Sequence, residues 1–561
     1  MVQESQKQEL ISLSVMGKNL EVPVGTTLLN IAASYEDEFQ YPILGARFNN
    51  ELVDLYTEIT KPGNIQFFDV TTEDGMRIYR QSLVFILAKA AGELFPNRRL
   101  VVEHSLGKSY YCEFAGEDEV SPLDIIALEA KMREIVEAEE PIIPQFLSSE
   151  NALRILEAQG HAEKVAFLQE LDWKKIKIYC AGSYSNYSYQ LLAPDTGRMK
   201  VFKLQNYAKG FILRFPDPQN PSELAPYPNL PKLGQVFRES EEWANILGVD
   251  NLDGFFHFVK RDYEDVTSLI HIAEALQEKK IASIADDIYG QRDKLRLILI
   301  AGPSSSGKTT FAQRLAIQLR VLGLQPVKIS LDDYFVNRDQ TPRDECGEID
   351  FECLEAIDLA LFNDHLQKLI AGYAVETPVF NFQSGGREWN GHKLQVSPGN
   401  PIIIEGIHGL NERLTPAINR ENKYKIYISA LTQISIDDHN RIPTTDTRLI
   451  RRIVRDHLFR GQTALGTLKL WPSVRRGEER NIFPFQEEAD IMFNSSLVYE
   501  LGILKKHATP LLQEVSREEK EYGDAQRLLN LLSYFPDVSE QYVPLNSILR
   551  EFIGGSSIHG K

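Results

Sequence analysis

The run Gly302-Pro-Ser-Ser-Ser-Gly-Lys-Thr309 is where residue type and spacing point most directly to chemistry. Two glycines five positions apart let the backbone curl so that successive N–H groups face inward, onto phosphate oxygens. Lys308 can reach β- and γ-phosphates, and Thr309 offers a hydroxyl to Mg²⁺ at a helix start whose dipole favours anions. The apolar residues 295–301 lead in, and Phe311, Leu315, Leu319 and Leu322 follow at helical spacing. Strand, loop and helix are the context in which such a loop is a P-loop. Gly302, Pro303, Ser304, Ser305, Ser306, Gly307, Lys308, Thr309 and Thr310 are therefore the candidate ATP-binding residues.

Two further apolar runs end in acids. Residues 326–333 close on Asp332 and Asp333, and residues 401–405 close on Glu405. In an open parallel sheet the ligand sits beyond the carboxyl ends of the strands. A carboxylate there can take a proton from an attacking hydroxyl, the role assigned to Asp332, with capping of a loop as the alternative. Glu405 suits a metal-organising role, so Thr309, Glu405 and Asp332 are the candidate metal residues. Asp293 and Glu412 lie away from strand ends and are weaker candidates. Arg448, Arg452 and Arg455 recur at i, i+4 and i+7 on one helical face, with Arg460 close behind. Arginine forks fit phosphate oxygens and the charge that develops in transfer, which favours a phosphate-closing lid over a solvated face paired with Asp446 and Asp456.

These residues need several elements to position them. At 561 residues the chain is too long for one core, and roughly 150 residues per domain predicts three or four units. A net charge of −18 argues against general nucleic-acid or membrane-surface binding, and leaves only a local basic patch open. Cys112, Cys180, Cys346 and Cys353 form no CxxC pair and fit free thiols in a reducing compartment. The opening residues hold no apolar core and no run is long enough for a bilayer, so the expectation is a cytoplasmic protein with no membrane partner.

Along the chain, residues 11–15 and 20–22 read as paired strands. Thr26 or Thr27 caps a short helix through Ala33, residues 45–54 form a hairpin around Asn49-Asn50, and residues 65–70 a closing strand. This ubiquitin-like pattern resembles the TGS domain of threonyl-tRNA synthetases. The resemblance continues through residues 73–96 and 107–114, which are similar to the editing domain of the same enzymes. It covers roughly residues 10–210. The family's editing pattern has His-x-x-x-His on a helix, then a Cys and a His. Here those places hold Gln81, Phe85, Cys180 and Tyr184, so the resemblance implies a domain that keeps the fold and loses the chemistry, with Cys180 a buried small residue. The Pro-rich residues 215–235 are expected to resist helix and strand, residues 239–290 to be helical, residues 499–533 helical again, and residues 554–561 disordered.

Residues 295–497 carry a second resemblance, to the uridine kinase and phosphoribulokinase family. It rests on the P-loop, Ser330-Leu-Asp-Asp-Tyr-Phe335, Ile349-Asp350, Pro378-Val-Phe380, Ile404-Glu-Gly406 and Arg451-Arg-Ile-Val-Arg-Asp456. The resemblance implies that Asp332 is the base for the acceptor hydroxyl. It also implies that Asp350 holds ribose hydroxyls, and that Arg452, Arg455 and Arg460 are the helix and lid arginines. Asp350, Phe380 and Arg387 are the candidate acceptor-side residues. The pyrimidine-reading Tyr and His of the family are replaced by Phe380 and Gly385, Gln462 replaces a lid arginine, and residues 434–445 form an insertion before the arginine helix.

The expected fold class is thus multidomain α/β. It comprises a TGS-like unit (1–70), a degenerate editing-like α+β unit (71–235), a helical connector (236–290), a P-loop kinase unit with a parallel sheet (291–500) and a helical segment with a flexible tail (501–561). The expected function is ATP- and Mg²⁺-dependent phosphoryl transfer to a small-molecule hydroxyl, with Lys308, Asp332, Arg452 and Arg455 catalytic, in a homo-oligomer. A uridine- or cytidine-like nucleoside is the leading acceptor, and a sugar or polyol is the alternative. A GTPase is disfavoured, since Asn422-Lys-Tyr-Lys425 precedes a strand and lacks the guanine-reading Asp. A translation-linked RNA-binding protein with a regulatory P-loop is permitted by the front half but unsupported by the charge.

Overall fold

The computed structural model describes residues 9–558 apart from 117–118, 228, 262, 345–346, 348 and 382–383. The sequence's Cys346 lies outside the described residues, and Cys112, Cys180 and Cys353 are free thiols. Among the described residues no helix is long and apolar enough to cross a membrane.

The first unit is a five-stranded mixed sheet over a short helix. Strands Leu10–Val15 and Lys18–Pro23 pair antiparallel, Gly63–Phe68 runs parallel to the first, and Gly45–Phe48 and Glu51–Val53 make the hairpin. Thr27 caps the helix Leu28–Ala32 by accepting from the Asn30 amide, and Asn49 and Asn50 turn the hairpin with positive φ. The α/β class and the ubiquitin-like order expected of these residues are what the structure has.

The helix Glu73–Leu94 follows, buried along most of its length because it lies beneath the sheet of strands Leu100–Leu106, Ser109–Phe114, Lys203–Tyr207 and Gly210–Arg214. The Pro-rich stretch departs from expectation. Pro216–Asp217 and Asn220–Leu224 form a two-stranded hairpin, and Pro231 opens a helix through Leu247. Proline fits both places, since an edge pair spares its missing N–H and the first helical turn needs none.

Two helices, Leu252–Arg261 and Tyr263–Gly290, lead to a five-stranded sheet in which every neighbouring pair is parallel. Its strand order is Val327–Ser330, Ile402–Glu405, Leu297–Ala301, Lys423–Ser429, Ile491–Asn494. The central strand, Leu297–Ala301, is buried throughout, as a strand covered on both faces must be. One apolar core joins Leu156 and Phe167 of the second unit to Phe255, Ile284, Leu315, Ile453, Leu504 and Leu528. The tail departs from expectation too. Residues 550–553 are helical, and Ser557 donates its amide to the Leu545 carbonyl at 2.9 Å, so 554–558 fold back on the chain rather than trail away.

The insertion before the arginine helix has a structural role. Its strands Ser435–Asp437 and Asn440–Arg441 form a hairpin that meets the second unit at Gln81. Gln81 Nε2 donates to Asn440 Oδ1 at 3.1 Å, and the Val102 amide donates to the Asp438 carbonyl at 2.8 Å. Lys164, 2 % exposed, reaches Asp437 at 3.2 Å and donates to His439 Nδ1 at 2.9 Å. Phe85 and Tyr184 close the same place with an edge-on ring contact at 5.2 Å. Cys180 is half-buried, not buried as expected, and accepts from Ser185 Oγ at 3.2 Å.

Acid should loosen this clasp. Burial, with Lys164 beside them, holds His161 down at about 3 and His439 well below its usual range. A depressed histidine gives stability that is present above the unfolded value near 6.5 and lost as pH falls below it. Asp438, raised to about 6 by burial, works the other way below that pH. His161 alone should account for a loss of about 1 kcal/mol between pH 6.5 and 5.5, and His439 adds to it in the same direction. In denaturant unfolding, His439→Asn should therefore be less stable than wild type at pH 7.5 and should decline less steeply over that interval.

Candidate functional site

The P-loop curls where only its residues fit. A Cβ on Gly302 would lie 1.9 Å from the Ile428 carbonyl oxygen, and Gly307 has φ +82° with Ile548 directly over it. Ser305 also takes positive φ, at 59°. The helix Lys308–Val321 starts at once, packed through Phe311, Leu315 and Leu319. Lys308 Nζ donates to the Gly302 and Pro303 carbonyls at 3.0 and 3.1 Å, which places the ammonium over the mouth of the loop.

The arginine helix, Thr444–Arg460, serves two purposes that its periodicity does not separate. Arg448 and Arg451 are buried braces. Arg448 forms a fork with Glu478, itself fully buried, and donates to the Ser304 carbonyl at 3.2 Å. Arg451 pairs with Glu500 and donates to the Ser305 carbonyl at 3.3 Å. The lid reading of Arg448 is corrected accordingly, since its side chain is spent on Glu478 and the loop backbone. Arg452, Arg455 and Arg460 do line the cavity. Arg452 Nη1 donates to Ser304 Oγ at 2.7 Å, and Arg455 grips Asp456 at 2.9 and 2.7 Å. Crowding by Arg455, added to burial, lowers Arg460 to about 10.

Opposite them stand the acids. Glu405 ends its strand in register with Ile300 and Ser330 and accepts from Ser330 Oγ at 3.0 Å and Thr309 Oγ1 at 3.4 Å. Burial first, then neighbouring Asp332, raises its carboxyl to about 7. Asp332 lies in the 3₁₀ turn Leu331–Tyr334 and lines the cavity, whereas Asp333 accepts from the Phe380 amide at 3.3 Å and so ties down the neighbouring hairpin. The cavity is about 1260 Å³ and includes Ser304 through Thr309, Asp332, Glu352, Glu405 and the three arginines.

The acceptor-side expectations meet a different arrangement. Ile349, Phe351 and Glu352 line the cavity, while Asp350, between them, caps its own turn by accepting from the Glu352 amide at 2.9 Å. Phe380 is buried against Phe335, and Arg387 pairs with Asp358 at 3.0 Å. None of these three is among the lining residues. Gly385 has φ +72°, and a Cβ there would meet Arg338 Nε at 2.8 Å, so no larger residue fits without displacing Arg338. Glu352, unremarked in the sequence, has its carboxyl raised to about 7 by burial. Lys423 and Lys425, in the segment that mimics a guanine motif, are buried against Glu412 and have no part in the cavity.

With this geometry in hand, comparison with known proteins separates the chain into two relationships. Residues 297–500 match the model of the Phosphoribulokinase / Uridine kinase family. The N-terminal region is similar to threonine–tRNA ligases. It is 30% identical to that of Symbiobacterium thermophilum over 196 residues, 35% of this chain and 30% of that enzyme. It is 28% identical to that of Carboxydothermus hydrogenoformans over 192 residues, 34% of this chain and 30% of that enzyme. The chain thus spans about 30% of the length of the curated relatives it matches. A solved structure described as a possible uridine kinase from Bacillus stearothermophilus aligns at 20% identity over 38% of this chain and 98% of its own, with a TM-score of 0.27.

The two arginine roles predict separable losses. Arg448→Ala leaves Glu478 buried with less compensation and should cost about 3 kcal/mol or more in denaturant unfolding. Arg452→Ala should cost clearly less stability in the same measurement, because its side chain faces the cavity.

Proposed function

We propose that this protein is an ATP-dependent kinase that transfers the γ-phosphoryl group to a hydroxyl of a small-molecule acceptor, with a uridine- or cytidine-like nucleoside as the first candidate. The observation that carries the reading is one cavity in which the P-loop lysine, two strand-end carboxylates and three arginines converge. Phosphoryl transfer asks a protein mainly for positioning and charge stabilisation, and this is the residue set such work needs.

The P-loop amides and Lys308 hold the phosphates of ATP. Ser305 and Ser306 support this, since among the described residues neither buried hydroxyl has a hydrogen-bond partner. Thr309, Glu405 and Asp332 form an all-oxygen donor set that suits Mg²⁺, which when bound offsets charge on the phosphates. Asp332 accepts the proton of the attacking hydroxyl, and its place at the mouth of a strand lets it face both acceptor and phosphate. Arg452, Arg455 and Arg460 stabilise the transferring group, and their shared contact with Asp456 fixes the guanidiniums before substrate arrives.

A sugar or polyol acceptor is the second reading. It is favoured by Phe380 and Gly385, whose own side chains put no hydroxyl or imidazole at the pyrimidine-reading positions.

Lys308→Ala should abolish transfer from ATP while its circular dichroism matches wild type, and equal turnover would remove the P-loop from the mechanism. Asp332→Asn should lower kcat by about 10²-fold or more with a far smaller change in acceptor KM, since a positioned base contributes on that scale. Steady-state kinetics with ATP and the preferred acceptor checks this. Full kcat in the variant would assign the proton to another group.

A further inference from the structure

The segment that follows residue 540 lies beyond the part of the chain matched to the kinase family, yet it forms a wall of the candidate donor site. Ile548, fully buried, sits over Gly307. Arg550 Nη2 donates to the Glu540 and Val543 carbonyls at 2.8 Å each, which folds the segment into a tight return. The Phe552 ring lies 4.9 Å from the Arg451 guanidinium, so the return also rests on the arginine helix. Arg550, Glu551, Gly554, Gly555, Ser556 and Ile558 then face the same cavity as Lys308 and Thr309.

Within that wall, Glu551 makes one specific contact. Its Oε2 accepts from the Thr310 amide at 3.0 Å and from Thr310 Oγ1 at 2.6 Å. Thr310 is in the first turn of the P-loop helix, where amides have no partner within the helix and the dipole favours an anion. In a P-loop those donors serve phosphate oxygens. A carboxylate therefore holds one end of the phosphate cradle. At the other end, the buried Ser305 and Ser306 hydroxyls have no hydrogen-bond partner among the described residues. A carboxylate and a phosphate cannot share the same two donors, because each is an acceptor only and their charges repel.

We propose that Glu551 sets the nucleotide affinity of the donor site by competing for Thr310, so that ATP seats fully only when the segment 548–558 releases its hold. The inference rests on the ATP-kinase reading above. It gives the segment beyond the kinase-like region a function, as an internal anion that holds the cradle closed to weakly binding phosphate compounds.

The test is the affinity of the full chain for a non-hydrolysable ATP analogue with Mg²⁺, by calorimetry, for wild type, Glu551→Gln and Glu551→Ala. It is paired with hydrogen–deuterium exchange with and without the analogue. Removing the charge should tighten binding by about 10-fold in both variants. In wild type the analogue should slow exchange in residues 302–310 and speed it in residues 548–558. Unchanged or weaker binding in both variants, with residues 548–558 further protected by the analogue, would make the segment a fixed wall and overturn the proposal. Binding by the variants alone would be its strongest form. Failure of all three proteins to bind the analogue would overturn the ATP reading itself.

Discussion

Two arginines, one nearly and one wholly removed from solvent, hold the shape on which the site depends. Arg448 and Arg451 are charged groups in the interior, and each is tolerable there only because a carboxylate and backbone carbonyls surround it. The carbonyls they take, of Ser304 and Ser305, belong to the P-loop itself. A loop whose N–H groups face inward must turn its carbonyls elsewhere, and the braces supply donors for them. Glu478 completes the arrangement from the other side by accepting the Ser304 amide at 3.0 Å. The phosphate cradle is thus a property of three distant segments, the loop, the arginine helix and the helix Ala464–Asn481, held by charge pairs whose loss leaves an ion stranded in the core.

The same arginine helix ties the site to the synthetase-like front. It begins immediately after the hairpin that meets Gln81, so the element that carries Arg452 and Arg455 is fixed at its start by Lys164, Asp437 and His439. Gln81 hydrogen-bonds the hairpin, and Phe85 makes an edge-on ring contact with Tyr184. Leu156 and Phe167 of the front share one apolar core with Ile298 and Ile300 of the parallel sheet, and the Tyr187 hydroxyl meets that of Tyr534, beyond the kinase-like region, at 2.6 Å.

How much of this the sequence disclosed depended on whether the physics was local. The P-loop, Asp332 and Glu405 were legible because strand, turn and acid are contiguous, and the ubiquitin-like order was legible from alternation and turn residues. Arg448 could not be told from Arg452 by periodicity, because what separates them is Glu478, thirty positions away and arriving from another helix. Residues 434–445 and Gln81 each stood out as departures from the resemblance, but nothing in one dimension says that Asn440 and Gln81 meet. Asp350, Phe380 and Arg387 carried expectations from resemblance, and here their side chains are engaged in a turn, an edge-to-face ring contact and an ion pair. Glu551 gave no signal at all, lying in a four-residue helix whose partner is some 240 positions earlier.

In the function proposed here, Lys308, Asp332, Glu405 and the three cavity arginines together move a phosphoryl group to an alcohol. Phosphorus NMR of the wild-type protein with ATP, Mg²⁺ and pooled nucleosides, sugars and polyols tests it most directly, because it identifies the product rather than only ATP loss. The account predicts a new phosphomonoester resonance appearing in step with ADP. Production of inorganic phosphate alone, or no turnover with any acceptor in the pool, would contradict it.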